Sequence, residues 1–226
     1  MPPPDPATAL YGHDPTRGIV GLHSVETAGG DAIRLYRRTG PDNVETEDVP
    51  LHPFIFLSDV ALLRGFPRQR FKYQRLRGEG FYRHLVVLPD RGAYWDAVRH
   101  VERTTGTQAR RSDEIYFPGG PEQQYLMQSG RTLFKGMAFE DLHRMQIDIE
   151  VYASEGGFPD AKRPGDRIII VSMSDNRGWT RLLDGRALPE RAMLQEVVRL
   201  IREKDPDVLE GHNCYAFDFA YLMARC

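Results

Sequence analysis

The chain has 226 residues, 41% hydrophobic and 27% charged, with a formal net charge of −2. That length accommodates two modest domains with real cores, and the near-neutral balance excludes a protein that coats nucleic acid indiscriminately. No apolar run reaches membrane-spanning length, the start "MPPPDPATAL" lacks a basic-then-apolar signal pattern, and Cys214 and Cys226 form no metal-type CxxC pair.

These features predict a cytoplasmic protein with no membrane partner, no zinc site and no disulfide framework. The Pro-rich first dozen residues read as a loose arm. "GIVGLHSVETAGGDAIRLYRRTG" then predicts a hairpin turning at Gly29–Gly30. "VPLHPFIFLSD" reads as a buried strand interrupted early by Pro53. "RFKYQRLRGEGFYRHLVVLPD" reads as two strands separated by Gly78-Glu79-Gly80. Tyr94, Ala97, Val98 and Val101 at helical spacing predict an amphipathic helix over Arg91–Thr105. A short helix over "EQQYLMQSG" follows, capped by Gly130. This mixture of strands, helix and strands predicts an α+β domain over residues 1–135.

A second domain is expected over residues 136–226. "HRMQIDIEVYA", "RIIIVSMSD" and "WTRLLDG" read as strands, the first two joined by the turn-rich "EGGFPDAKRPGD". Pro189 opens a helix whose apolar face is Met193, Val197, Leu200 and Ile201, and Pro206 ends it. "DVLEGHN" is a short strand before another helix. Three strands, a helix, a strand and a helix form the opening of an α/β ribonuclease H-like fold. "CYAFDFAYLMARC" reads as a helix still in progress at Cys226, which predicts a chain cut from something longer and an incomplete second domain.

Within "MQIDIEVY" the period of a strand sends Asp148 and Glu150 to one face and Ile147, Ile149 and Val151 to the other. Two carboxylates side by side repel, so a cation should lie between them or the face should be open to water. Asn213, Phe217 and Asp218 fall at a strand-to-helix junction, where open sheets present their strand ends. If that strand lies beside the strand of Asp148, three carboxylates converge. Hard divalent cations such as Mg²⁺ or Mn²⁺ require oxygen donors of this kind for two-metal phosphodiester cleavage.

At these residues the sequence resembles the family B DNA polymerases. "IDIE" looks like their first exonuclease motif, and "NCYAFDFAYL", preceded by "REKDPDVLEGHN", looks like the second. "HPFIFL" and "YLMQSGRTLFKGM" resemble parts of the family's N-terminal domain and its link to the exonuclease. The resemblance implies a DNA-directed DNA polymerase with a 3′–5′ proofreading exonuclease. Its partners would be DNA, as a single-stranded 3′ end and a primer-template, and the rest of the polymerase chain. It further implies that Asp148, Glu150 and Asp218 are the catalytic, metal-holding carboxylates, and that Asn213 and Phe217 shape the cleft for the frayed strand. Val151 departs from the small hydroxyl residue or cysteine usual after the Glu. The third motif, a Tyr followed by an Asp, and every polymerase motif are absent from this sequence. These departures predict no polymerase activity and a crippled exonuclease in this chain.

In the first domain, Arg70, Lys72, Arg75 and Arg77 interleave with Phe66, Phe71, Tyr73, Phe81 and Tyr82. Basic residues grip phosphates while aromatics stack on bases, although plain strand alternation produces the same pattern. Glu122 stands where uracil-sensing relatives carry an aromatic, so no uracil sensing is expected. His143 and His212 flank the carboxylate motifs and read as structural or exposed. Two other readings fit the residues: a free-standing ribonuclease H-like nuclease, and a non-catalytic single-stranded nucleic-acid-binding module.

Overall fold

The computed structural model describes residues 12–41 and 43–226, so the Pro-rich arm through residue 11 lies outside the described residues. The chain divides into two compact units, one ending at Gly136 and the other spanning Met137–Cys226.

In the first unit, β1 (Ile19–Thr27), β2 (Gly30–Gly40) and β3 (Asn43–Pro50) form an antiparallel sheet in that order. Thr27 pairs with Gly30, so the turn residues are Ala28 and Gly29, one position earlier than the Gly-Gly pair suggests. The sequence reading contains no β3. Its "NVETEDVP" has no apolar alternation, and the strand is held instead by cross-strand ion pairs, Arg34–Asp48 at 2.7 Å and Arg37–Glu45 at 2.8 Å. Ile19, Ile33 and Leu35 pack with Leu51 and with Tyr125 of α2 (Pro121–Ser129). Gly130 ends α2 with φ of 69°, a left-handed cap that suits glycine.

The second sheet of this unit runs β5 (Lys72–Arg75), β6 (His84–Val87), β4 (Phe54–Leu57), β7 (Ile115–Tyr116), all antiparallel. β4 begins only after Pro53, because proline cannot donate to the ladder. α1 (Arg91–Thr105) lies on one face, where Ala93, Tyr94, Ala97, Val98 and Val101 meet Ile55, Leu57 and Val86. Asp90 caps it by accepting from the Ala93 amide at 2.7 Å. Burial lifts the Tyr94 hydroxyl to about 12, and that hydroxyl donates to the Pro118 carbonyl. Buried Gln124 ties the parts together, accepting from Phe54 N–H at 2.9 Å and donating to Pro118 O. Ile55 is fully buried. Ile55→Val should therefore cost about 1 kcal/mol, read as a lower urea midpoint at unchanged slope.

The second unit holds a four-stranded sheet in the order β10 (Thr180–Asp184), β9 (Arg167–Asp175), β8 (Arg144–Tyr152), β11 (Val208–Glu210). β8, β9 and β10 are antiparallel neighbours, whereas β11 runs parallel to β8. The crossover into β11 is α3 (Glu190–Lys204), and α4 (Asp218–Arg225) follows. Pro189 is the residue just before α3 rather than its first turn, and Asp205 ends the helix in the left-handed region ahead of Pro206. The buried stripe of α3 is Met193, Leu194, Val197 and Leu200, with Ile201 half-buried. It packs with Tyr221 and Leu222 of α4 against Met145, Ile147, Ile149, Val171 and Met173. Among the described residues no helix is long and apolar enough to cross a membrane.

Candidate functional site

β8 alternates strictly over its middle: Met145, Ile147 and Ile149 are buried, while Gln146, Asp148 and Glu150 are exposed. The apolar members are drawn under the helices by burial, and that leaves the two carboxylates together on the uncovered face. Asp148 lies opposite Ser172 and Glu150 opposite Ile170, so no second charge faces either across the ladder. Neither carboxylate has a hydrogen bond or ion pair among the described residues. Just beyond Glu150 the register slips, Val151 pairing with Ile168, a bulge of the kind that re-aims side chains near sites.

Asp218 approaches the same stretch from the other side. Buried at the first position of α4, it accepts from the Ile149 amide at 3.1 Å. Its carboxylate therefore meets β8 between Asp148 and Glu150 in the chain, at the level of the backbone rather than standing on the open face. Among the described residues no group of three or more His, Cys, Asp or Glu side chains is arranged to hold a metal ion.

The close approach of β11 brings α4 within reach. A Cβ on Gly211 would stand 2.7 Å from the Ile147 carbonyl oxygen, so only glycine passes there. Asn213 follows in the left-handed region with φ of 54°, its carbonyl accepting from Ala216 and Phe217 amides, and it is exposed. It does not cap α4; Phe217 occupies that position. A groove of about 850 Å³ runs along the open face, lined in part by Gln146, Asp148, Ser172, Arg181, Glu210 and His212. Arg144 pairs with the lining residue Glu210 at 2.9 Å and lies 4.0 Å over the Phe139 ring.

Sequence reasoning passes over Phe158, which sits in the β8–β9 connection and is 78% exposed. Its ring meets Phe217 edge-on at 5.5 Å, and Phe217 in turn lies 5.6 Å from Tyr221. The available signal was an aromatic isolated between Gly156-Gly157 and Pro159. The connection is locked by Asp166, which is fully buried and accepts from the Ser154 hydroxyl (2.6 Å) and amide (2.8 Å), the Asp160 amide (2.9 Å) and Arg163 (3.1 Å). The Ser154 hydroxyl bond, with the amide bonds behind it, holds this carboxyl down at about 2. From α4, the Tyr221 hydroxyl donates to the Asp166 carbonyl, and Arg225 pairs with Glu190 while reaching the Ala161 carbonyl.

His143 is buried and bonds Asp175 at 3.0 Å, and His212 is exposed, as their positions suggested. Burial pushes the Asp175 carboxyl up, but donation from the Trp179 amide, His143 and the Arg177 amide outweighs it and holds the group below its ordinary value. In the first unit, Arg70 and Lys72 line one pocket beside Val87 and Leu88. Lys72 and Arg75, three apart on β5, project to opposite faces, and Arg70 is paired with Asp96 at 2.8 Å. Phe66 and Phe71 are core residues, whereas Tyr73 and Phe81 are exposed.

Residues 187–226, from the connection before α3 through α4, match the family model described as DNA polymerase family B, exonuclease domain. DNA polymerase 1 of Pyrococcus abyssi is 34% identical over 112 residues, covering 46% of this chain and 14% of that protein. The DNA polymerase of Archaeoglobus fulgidus is 35% identical over 107 residues, covering 47% of this chain and 13% of that protein. The solved family B DNA polymerase of Pyrobaculum calidifontis superposes with a TM-score of 0.64 at 17% identity, over 92% of this chain and 32% of that one. The mixed α/β architecture thus resembles the N-terminal and exonuclease region of a DNA polymerase. By these matches the chain is similar to family B DNA polymerases over a small part of their length, and residues 187–226 of its second unit carry exonuclease-domain sequence.

Proposed function

We propose that the second unit is part of a ribonuclease H-like 3′–5′ exonuclease that removes nucleotides from a single-stranded DNA 3′ end, serving a cytoplasmic DNA-directed DNA polymerase. The observation that carries this reading is the bare pair on β8: Asp148 and Glu150 stand on an open face with no basic side chain or donor bonded to either among the described residues. Water on the open face can solvate such a pair, and the same opening lets a cation reach both carboxylates. The strand order, with β11 parallel to β8 and α3 as the crossover, supports the ribonuclease H-like assignment.

The donor set fits magnesium or manganese by type, since carboxylate oxygens are what hard divalent cations take. Asp148 and Glu150 would hold such an ion, and Asp218 would complete the set once its carboxylate turns from the Ile149 amide. Bound there, the metal would supply a nucleophilic water and neutralise developing charge on the leaving oxygen. The chain's own residues do the positioning. Gly211 permits α4 to dock, the Ile149 amide orients Asp218, and Phe158, backed by half-buried Phe217, offers an exposed ring on which a terminal base can stack. Asn213, exposed at the same junction, would donate to that nucleotide. The partners on this reading are DNA, as a frayed 3′ end and a primer-template, and the remainder of a polymerase chain.

Calorimetric titration with Mn²⁺ tests the carboxylate assignment without requiring turnover. Weak binding is expected for the wild-type chain and none for Asp148→Ala/Glu150→Ala. Identical heats for the two would remove the basis of the proposal.

A further inference from the structure

We propose that the outer face of α3, with the end of α4, is a docking site for an acidic amphipathic helix of a second protein, on the far side of the sheet from Asp148 and Glu150. α3 places Arg191, Gln195, Val198 and Arg202 at i, i+4, i+7 and i+11, so all four lie along one line of the helix. All four are exposed, Val198 by 38%. Together with Leu194 and Arg225 they line a groove of about 750 Å³. At a rise of about 1.5 Å per residue, the two arginine positions stand about 16 Å apart along the axis. The aliphatic pair Leu194 and Val198 lies between them, so the face reads cation, aliphatic centre, cation.

Charge decides the occupant. Arg225 is paired with Glu190, and Arg199 with Glu196 at 2.7 Å and with Glu203. Arg191 and Arg202 have no hydrogen bond or ion pair among the described residues, so they are the cations left for a partner. A phosphate strand would pass Glu190 in the groove and Glu203 beside Arg202, and among the described residues no Phe, Tyr or Trp ring lines the groove to stack a base. A helix with two carboxylates at the matching interval and aliphatic residues between them answers every part of the face instead. Two rim ion pairs around a small aliphatic centre make a weak, salt-sensitive contact of the transient class. α3 packs on the side of the sheet to which Met145, Ile147 and Ile149 point, whereas Asp148 and Glu150 stand on the other. A helix bound here leaves the carboxylate face open, which suits a tether and not an inhibitor.

The test uses the full chain and a fluorescein-labelled synthetic helix of about 18 residues, followed by anisotropy. Its glutamates are spaced as Arg191 and Arg202 are, with leucines between them and alanine and glutamine elsewhere. Arg191→Ser/Arg202→Ser should weaken its binding about tenfold, and Val198→Asp should abolish it, both with unchanged melting curves. Arg191→Glu/Arg202→Glu should lose the original helix and bind a version with lysines in place of the glutamates. Asp148→Ala/Glu150→Ala should bind as the wild type does, so failure of the metal assignment leaves this site standing. No binding by the wild-type chain, or equal affinity in Arg191→Ser/Arg202→Ser, would overturn the proposal. So would single-stranded DNA displacing the helix at lower concentration than the unlabelled helix does, which would make the face a phosphate site. A concentration-dependent dimer that Val198→Asp dissolves would equally overturn it, the occupant then being a second copy of this chain.

Discussion

Replacing Asp166 by alanine is expected to release the 153–166 connection and to lower the melting temperature of the second unit by on the order of 10 °C. Four donors converge on this fully buried carboxylate, and alanine would leave the Ser154 and Asp160 amides without acceptors in a dry site. Because the folded-state value is about 2, below the ordinary 3.8, the carboxylate stabilises the fold fully above the ordinary value. That contribution drains away as pH falls from there toward about 2. Thermal melts of wild type and Asp166→Asn should accordingly diverge most near neutrality and converge near pH 2. Limited proteolysis should find new cleavage around Gly156–Pro159 in Asp166→Ala. Superimposable melts at neutral pH, or a connection equally resistant in both proteins, would show that the lock does not matter. A functional consequence follows from geometry, since the same connection presents Phe158 against Phe217 beside Asp218.

The parts of this molecule legible from sequence are those where one periodicity dominates. α1 is read correctly because four apolar positions, Tyr94, Ala97, Val98 and Val101, recur at helical spacing. β8 is read correctly because Ile147, Ile149 and their carboxylate neighbours alternate without interruption. β3 is illegible for the opposite reason: it is held by its ladder to β2, by Val49 and by ion pairs to Arg34 and Arg37, none of which a local pattern of "NVETEDVP" reveals. At the site, strand alternation predicts that Asp148 and Glu150 share a face. It cannot predict that Asp218 spends an oxygen on the Ile149 amide, since that bond depends on how closely α4 docks. The arginine-rich stretch shows the same limit. Interleaving alone suggests one surface, yet the two-residue period of β5 separates Lys72 from Arg75, and Arg70 belongs with α1 through Asp96.

Gly211→Val should be the most disruptive single change at the candidate site, costing about 3 kcal/mol or more. The first added carbon would stand 2.7 Å from the Ile147 carbonyl and 3.2 Å from the Cys214 side chain, and the former is backbone of the central strand that cannot yield by rotating. β11 pairs with β8 through only three residues, Val208, Leu209 and Glu210, so it is the weakest ladder in the sheet and the one that must give. As it moves out, α4 moves with it, and the bond between Asp218 and the Ile149 amide is lost. Hydrogen exchange separates this outcome from general destabilisation. The Ile149 amide should lose protection while amides of the β8–β9 ladder, such as those paired around Val171, keep theirs. Asp218→Asn retains an acceptor oxygen and should leave Ile149 protected, whereas Asp218→Ala should expose it as Gly211→Val does. Ile149 exchanging at the wild-type rate in Gly211→Val would mean that α4 is held by its core contacts through Tyr221 and Leu222 and not by the approach of β11. The glycine would then matter for the strand alone.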